Sequence, residues 1–153
     1  MSLEKMFLHE KTVEIMLKIL EAEEKGEEAY PLGISKEVGS PYSYISKVLS
    51  EFEENALIES EFKGRVRVVK FTRDGRKIAE LFKRLRAELN KDFVARKKLS
   101  VLEEVLNQAN GDDPFRILAP VRTELEILKR QTSDKEALEK IRDFEMKIKE
   151  IIN

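Results

Sequence analysis

The sequence predicts a mainly α protein with one small β-hairpin, an α+β arrangement. Three observations carry this. Apolar residues recur three and four apart through most of the chain, which is the period of a helix with one buried face. A single stretch around Lys63-Gly64 is instead rich in β-formers and alternates like a strand pair. Glycine and proline are sparse, at 6 and 4 of 153 residues, while charged side chains reach 39%, against roughly 25% in an average globular protein.

The elements follow in order. Val13, Met16, Leu17, Ile19 and Leu20 mark a first helix that stops near Lys25-Gly26, where glycine can take the left-handed cap. Pro31 suits a first helical turn, and Ile34 and Val38 stack four apart before Gly39, giving a short second helix. Ser40-Pro41 reads as an N-cap followed by proline, and Ile45, Val48, Leu49 and Phe52 form the buried stripe of a third helix at about 41–54. That stripe leaves Tyr42, Ser43, Ser46, Lys47 and Ser50 on the other side. Leu57 to Phe62 and Arg65 to Phe71 then read as two strands joined at Lys63-Gly64. Thr72 is placed to cap a fourth helix carrying Ile78, Phe82, Leu85 and Leu89, and the same rhythm resumes at Leu99, Leu102 and Leu106, in one long helix or two.

Gly111 ends that run, and Asp113-Pro114 reads as a cap and helix start before Leu118, Val121, Leu125 and Leu128. Ser133 with Glu136 spells a capping box, after which Ala137, Ile141, Phe144, Ile148 and Ile151 continue to the end. Three such coiled-coil-like seams in a short tail predict packing on each other and on a second copy of the chain.

Composition removes several chemistries. Without cysteine there is no disulfide and no thiolate metal site, and with His9 as the single histidine, read as the residue opening the first helix, no imidazole cluster. No phosphate-cradling glycine loop or nucleophile elbow is present, so no enzymatic activity and no cofactor are expected. No apolar run approaches a membrane span and no signal peptide precedes the first helix, which places the protein in the cytoplasm.

The formal net charge of -1 conceals a segregation. Residues 1–62 hold 6 basic and 14 acidic side chains, net -8; residues 63–98 hold 14 and 4, net +10; residues 99–153 hold 9 and 12, net -3. A basic block of this size between acidic ones is the footprint expected of a polyanion-binding surface. A solvated face is the alternative.

Helix, short helix, capped helix, hairpin, helix is the order of a winged helix-turn-helix domain. The segments "ISKEVGSPYSYISKVLSEFEENALIE" and "VVKFTRDGRKIAELF" resemble the winged-helix transcription regulators of the MarR, ArsR and PadR type. The first matches their helix-turn-recognition-helix run and ends at Asn55-Ala56-Leu57-Ile58, where such proteins have a Gly-Leu-Ile-like strand start. The second matches their wing exit, an apolar residue followed by Thr-x-x-Gly, here Phe71, Thr72 and Gly75. The charge-rich, cysteine-free composition suits an archaeal or thermophilic source.

The resemblance implies a DNA-binding winged-helix domain over residues 10–85 and a helical dimerisation region over 86–153. It implies a homodimeric, sequence-specific regulator of double-stranded DNA that selects a palindromic site, with an unidentified small-molecule effector as a further partner. The contact residues so marked are Ser40, Tyr42, Ser43, Tyr44, Ser46 and Lys47 on the recognition helix, and Lys63, Arg65 and Arg67 on the wing at about 59–71. Alternation in the second strand puts Arg65, Arg67, Val69 and Phe71 on one side, the two apolar residues anchoring and the arginines reaching a minor groove or backbone.

Several of the marked residues also have a plainer reading. Tyr42 and Tyr44 can pad the core edge, Lys47 can be an ordinary surface lysine, and the two arginines can guard an edge strand from aggregation. The competing function is a winged-helix module that binds protein, or a DNA-binding protein of replication or chromatin.

Overall fold

A computed structural model describes residues 8–108 and 114–152. The chain divides into two compact units, Met1–Asn90 and Lys91–Asn153. The first contains α1 (Glu10–Glu24), α2 (Pro31–Val38), α3 (Tyr42–Glu54), β1 (Ile58–Lys63), β2 (Val66–Phe71) and α4 (Arg73–Leu89). The second contains α5 (Phe93–Asn107), α6 (Pro114–Gln131) and α7 (Lys135–Ile152).

The first unit is built on the stripes read from the sequence, except that Leu17 of α1 is only half-buried, Ile15, outside the expected stripe, is fully buried, and Leu85 of α4 is exposed. Val13, Met16, Ile19 and Leu20 of α1 are buried, as are Ile34 and Val38 of α2 and Ile45, Val48, Leu49 and Phe52 of α3. All but Val13 share one core with Ile58, Val69 and Ala79, and Phe71, Ile78 and Phe82 pack against it. Each such aliphatic or aromatic side chain gains about 1.5–3 kcal/mol by leaving water, which is why the amphipathic period dictates the packing.

Helix ends follow local chemistry. His9 caps α1, its Nδ1 accepting from the Thr12 N–H, and Gly26 closes it at φ +70°, with the Glu27 N–H donating back to the Ala22 carbonyl. The cap of α3 differs from the Ser40 expectation. Ser40 is consumed by the preceding turn: its N–H donates to the Ser35 carbonyl and its own carbonyl accepts the Ser35 hydroxyl at 2.6 Å. The carbonyl of Pro41 starts the helix instead, accepting from the Tyr44 and Ile45 N–H groups, and no side chain caps the end.

The strands pair antiparallel from Ile58↔Phe71 to Lys63↔Val66, so the turn is Gly64-Arg65 and not Lys63-Gly64. Gly64 holds φ +65°, which explains the one-residue shift: the left-handed residue must be the first of the two in the loop. Arg65 therefore lies in the turn and not in the strand row with Arg67. An isolated bridge from Ala29 to Val69 flanks β2, the Val69 N–H donating to the Ala29 carbonyl at 2.9 Å. Two backbone donors that point away from the partner strand meet carboxylates: Ser60 N–H donates to Glu53 and Phe71 N–H to Glu23.

The Thr-x-x-Gly element has a mechanical basis. Thr72 Oγ1 accepts from the Gly75 N–H at 3.1 Å and donates to the Ala56 carbonyl at 2.7 Å, tying the start of α4 to the start of β1. A Cβ on Gly75 would lie 1.8 Å from the Leu57 carbonyl oxygen, so only glycine fits.

The second unit buries the three seams against one another: Ala95, Leu99 and Leu106 of α5, Leu118, Val121, Leu125 and Leu128 of α6, and Ala137, Ile141, Phe144 and Ile148 of α7. Ile151 departs from the expected stripe and is exposed, while Ile152 packs inward. The long-helix alternative resolves into two helices, α4 ending at Leu89 and α5 capped by Asp92, which accepts from the Ala95 N–H. Gly111, Asp112 and Asp113 fall outside the described residues.

The capping box at Ser133 and Glu136 is not formed. Asp134 takes the cap, accepting from the Glu136 and Ala137 N–H groups. It outcompetes Ser133 because its carboxylate also receives both arms of the Arg96 guanidinium, at 2.8 and 3.0 Å, and the Asp92 N–H. Those donors, Arg96 foremost, hold the Asp134 carboxyl well below the usual range, at about 2.

Candidate nucleic-acid interface

The outward side of α3 carries the polar residues expected of it. Tyr42, Ser43 and Lys47 are exposed and Ser46 is half-buried. Tyr44 is half-buried and packs against the core, so its ring is a spacer and not a freely offered group. Ser40 belongs to the turn before the helix. With no side-chain cap, the first N–H groups of α3 are left to solvent, and the positive end of the helix dipole sits beside Tyr42 and Ser43. Such an end favours an anion, and the adjacent hydroxyls and ammonium can hydrogen-bond phosphates or base edges.

The wing cations divide by their surroundings. Arg67 is enclosed: its side chain is only 15% exposed, Nη2 donates to Glu53 at 2.8 Å, and Nε donates to the Ser60 hydroxyl at 2.8 Å. Glu53 lies at the C-terminal end of α3, so this cluster fixes the hairpin to that helix. Lys63 pairs with Glu28, which raises the pKa of its ammonium. Arg65, at the turn, is exposed and carries no ion pair to another described residue.

The same division extends over the basic block. Arg76 pairs with Glu23 at 3.0 Å and Lys83 with Glu24 at 3.0 Å, both carboxylates belonging to α1. Charges separated along the chain are thus partly reunited in space. The local excess of arginine and lysine read from the sequence is, at these positions, balanced by the protein's own acidic residues, and at Arg65 it is not.

A groove of about 610 Å³ brings the two surfaces together. Tyr42 from α3 and Lys63, Arg65, Val66 and Arg67 from the hairpin line it, with Glu28, Tyr30, Pro31 and Leu32 on the third side. The start of α3 and the tip of the wing therefore face a common space. Tyr30, Leu32 and Val66 were not legible as lining this groove. The only signal for them is apolar character at positions that the helical and strand periods leave outside the core. Among the described residues no group of three or more histidine, cysteine or acidic side chains could hold a metal ion, and no helix is long and apolar enough to cross a membrane.

A three-helix core, a helix-turn-helix whose second member opens to solvent, and a hairpin returning beside it define a winged helix-turn-helix protein. No family model matches the chain. The chain belongs to the same family as an uncharacterized protein of the archaeon Archaeoglobus fulgidus, to which it is 34% identical over 79 residues, 52% of this chain and 83% of that one. The crystal structure of AF1382 from Archaeoglobus fulgidus has the same fold, with 31% identity and a TM-score of 0.57 over 58% of this chain and 98% of that one.

Weaker likenesses reach MepR, a transcription regulator of the Staphylococcus aureus multidrug efflux pump MepA, at 16% identity and TM-score 0.49 over 71% of this chain and 84% of that one. They also reach SPO1453, a MarR family transcriptional regulator of Silicibacter pomeroyi, at 20% and 0.47 over 82% and 79%.

Proposed function

We propose that the protein is a sequence-specific regulator that binds double-stranded DNA, with α3 in the major groove and the hairpin tip on the backbone or in the adjacent minor groove. The observation that supports this reading is the common groove between Tyr42 and Arg65, which leaves an open approach to both elements. A major groove about 12 Å wide accepts a helix, and the hydroxyls of Ser43 and Ser46 with the ammonium of Lys47 suit its donor and acceptor edges. Arg65 is the wing contact in this reading. Arg67 is reassigned from contact to brace, because Glu53 and Ser60 already engage it.

The proposal assigns residues 10–85 to DNA binding and 86–153 to a helical homodimerisation region of a cytoplasmic protein. Fluorescence anisotropy with a duplex of random sequence across a salt series tests it. Affinity falling steeply with salt supports it, whereas no binding at low salt removes it and favours the second reading, a module that binds protein. The specific observation behind that second reading is the number of basic side chains already neutralised by Glu23, Glu24, Glu28 and Glu53.

A further inference from the structure

We infer that the groove between α2, α3 and the wing is a binding site for an unpaired nucleobase together with its phosphate, supplied by a single strand adjoining a duplex. The inference rests on reading α3 and the wing as a nucleic-acid surface, and it adds a second kind of ligand to that surface.

Neither base edges nor a phosphate ladder accounts for the walls of this groove. Tyr30, Leu32, Tyr42 and Val66 are 42%, 51%, 52% and 50% exposed, and all four line the one cavity. Large apolar side chains scattered singly on a surface are ordinary, but four converging on a concave space mark a binding site. The Tyr30 ring lies over Gly33, its Cζ 3.2 Å from the point where a Cβ there would sit. An exposed aromatic face is a platform on which an unstacked base rests, a contact indifferent to base identity.

Charge selects what accompanies the base. Glu28 occupies Lys63 and Glu53 occupies Arg67, so Arg65 is the cation left available at the rim, beside the uncapped N-terminus of α3. Both favour an anion. A planar π-face next to a phosphate is the chemistry of a nucleotide, and a paired base inside a duplex cannot reach the apolar walls because its faces are covered by its neighbours. An unpaired one can.

Anisotropy titrations of the full chain with a blunt duplex and with the same duplex bearing a short single-stranded extension test this. The extension is expected to tighten binding about tenfold. Tyr30→Ala and Leu32→Ala should each erase that gain while leaving the blunt-duplex affinity in place, and Tyr30→Phe, which keeps the ring, should retain it. A thermal melt of each variant confirms that it is folded. Equal affinity for the two duplexes overturns the proposal, as does a Tyr30→Ala variant that weakens both alike. A nucleoside monophosphate that displaces the extension as readily as a single strand does overturns the strand as the source. Binding of single strand without any binding of blunt duplex sinks the regulator reading and leaves the groove assignment standing.

Discussion

Arg65 and Arg67 are two positions apart and have different physics. Arg65→Ala removes a cation that solvent or phosphate alone can satisfy, so its cost falls on binding: the slope of log affinity against log salt should shrink by about 1, with stability unchanged, as a titration series on one duplex would show. Arg67→Ala removes the brace between β2 and the end of α3, leaving the Glu53 carboxylate to the Ser60 N–H and hydroxyl without its cation. Chemical denaturation should register a loss of about 1–2 kcal/mol. A third residue sits in a strained place: Ala56 adopts φ +56° in the cap of α3, where the Leu57 N–H reaches back to the Phe52 carbonyl. A glycine there escapes the Cβ clash, so Ala56→Gly should stabilise the protein by about 0.5–1 kcal/mol in the same assay, against the usual sign of an alanine-to-glycine change.

At the scale of elements, junctions decide stability and are also where sequence reading failed. The buried stripes of α1 to α3 and of α5 to α7 were legible because burial follows period. The cap at Ser40 and the capping box at Ser133 were not, since each lost to a competitor outside the capping pattern: the Ser35 hydroxyl, and the Arg96 guanidinium that favours Asp134. The turn at Lys63-Gly64 was placed one residue early because a glycine marks a turn without fixing which of its two positions it fills. Of the site, the outward face of α3 was legible as what its stripe excludes. The pairing of wing cations was invisible, because Glu28 and Glu53 reach them only through the fold.

Two element-scale predictions follow from the junctions. Gly75→Ala drives a methyl into the Leu57 carbonyl and should cost about 3 kcal/mol in denaturant unfolding. Asp134 has a lowered pKa in the folded state, so the stabilisation it contributes is fully present above 3.8 and is lost as pH falls through about 2. Asp134→Asn should flatten acid unfolding followed by circular dichroism across that window.

For the whole molecule, the expected assembly is two chains on one duplex, with recognition helices about 34 Å apart on a palindromic site. Sedimentation velocity should give twice the chain mass, and a stoichiometric titration two chains per duplex; a monomer at micromolar concentration would remove the palindrome from the account. Glu53 and Glu23 carry a separate consequence. A neighbouring molecule that tried to extend the hairpin as a third strand would have to expel a carboxylate from the amide of Ser60 or Phe71 and leave a negative charge facing peptide carbonyls. Each edge of the hairpin thus carries one amide already claimed by a carboxylate, which disfavours edge-to-edge stacking of copies in a crowded solution.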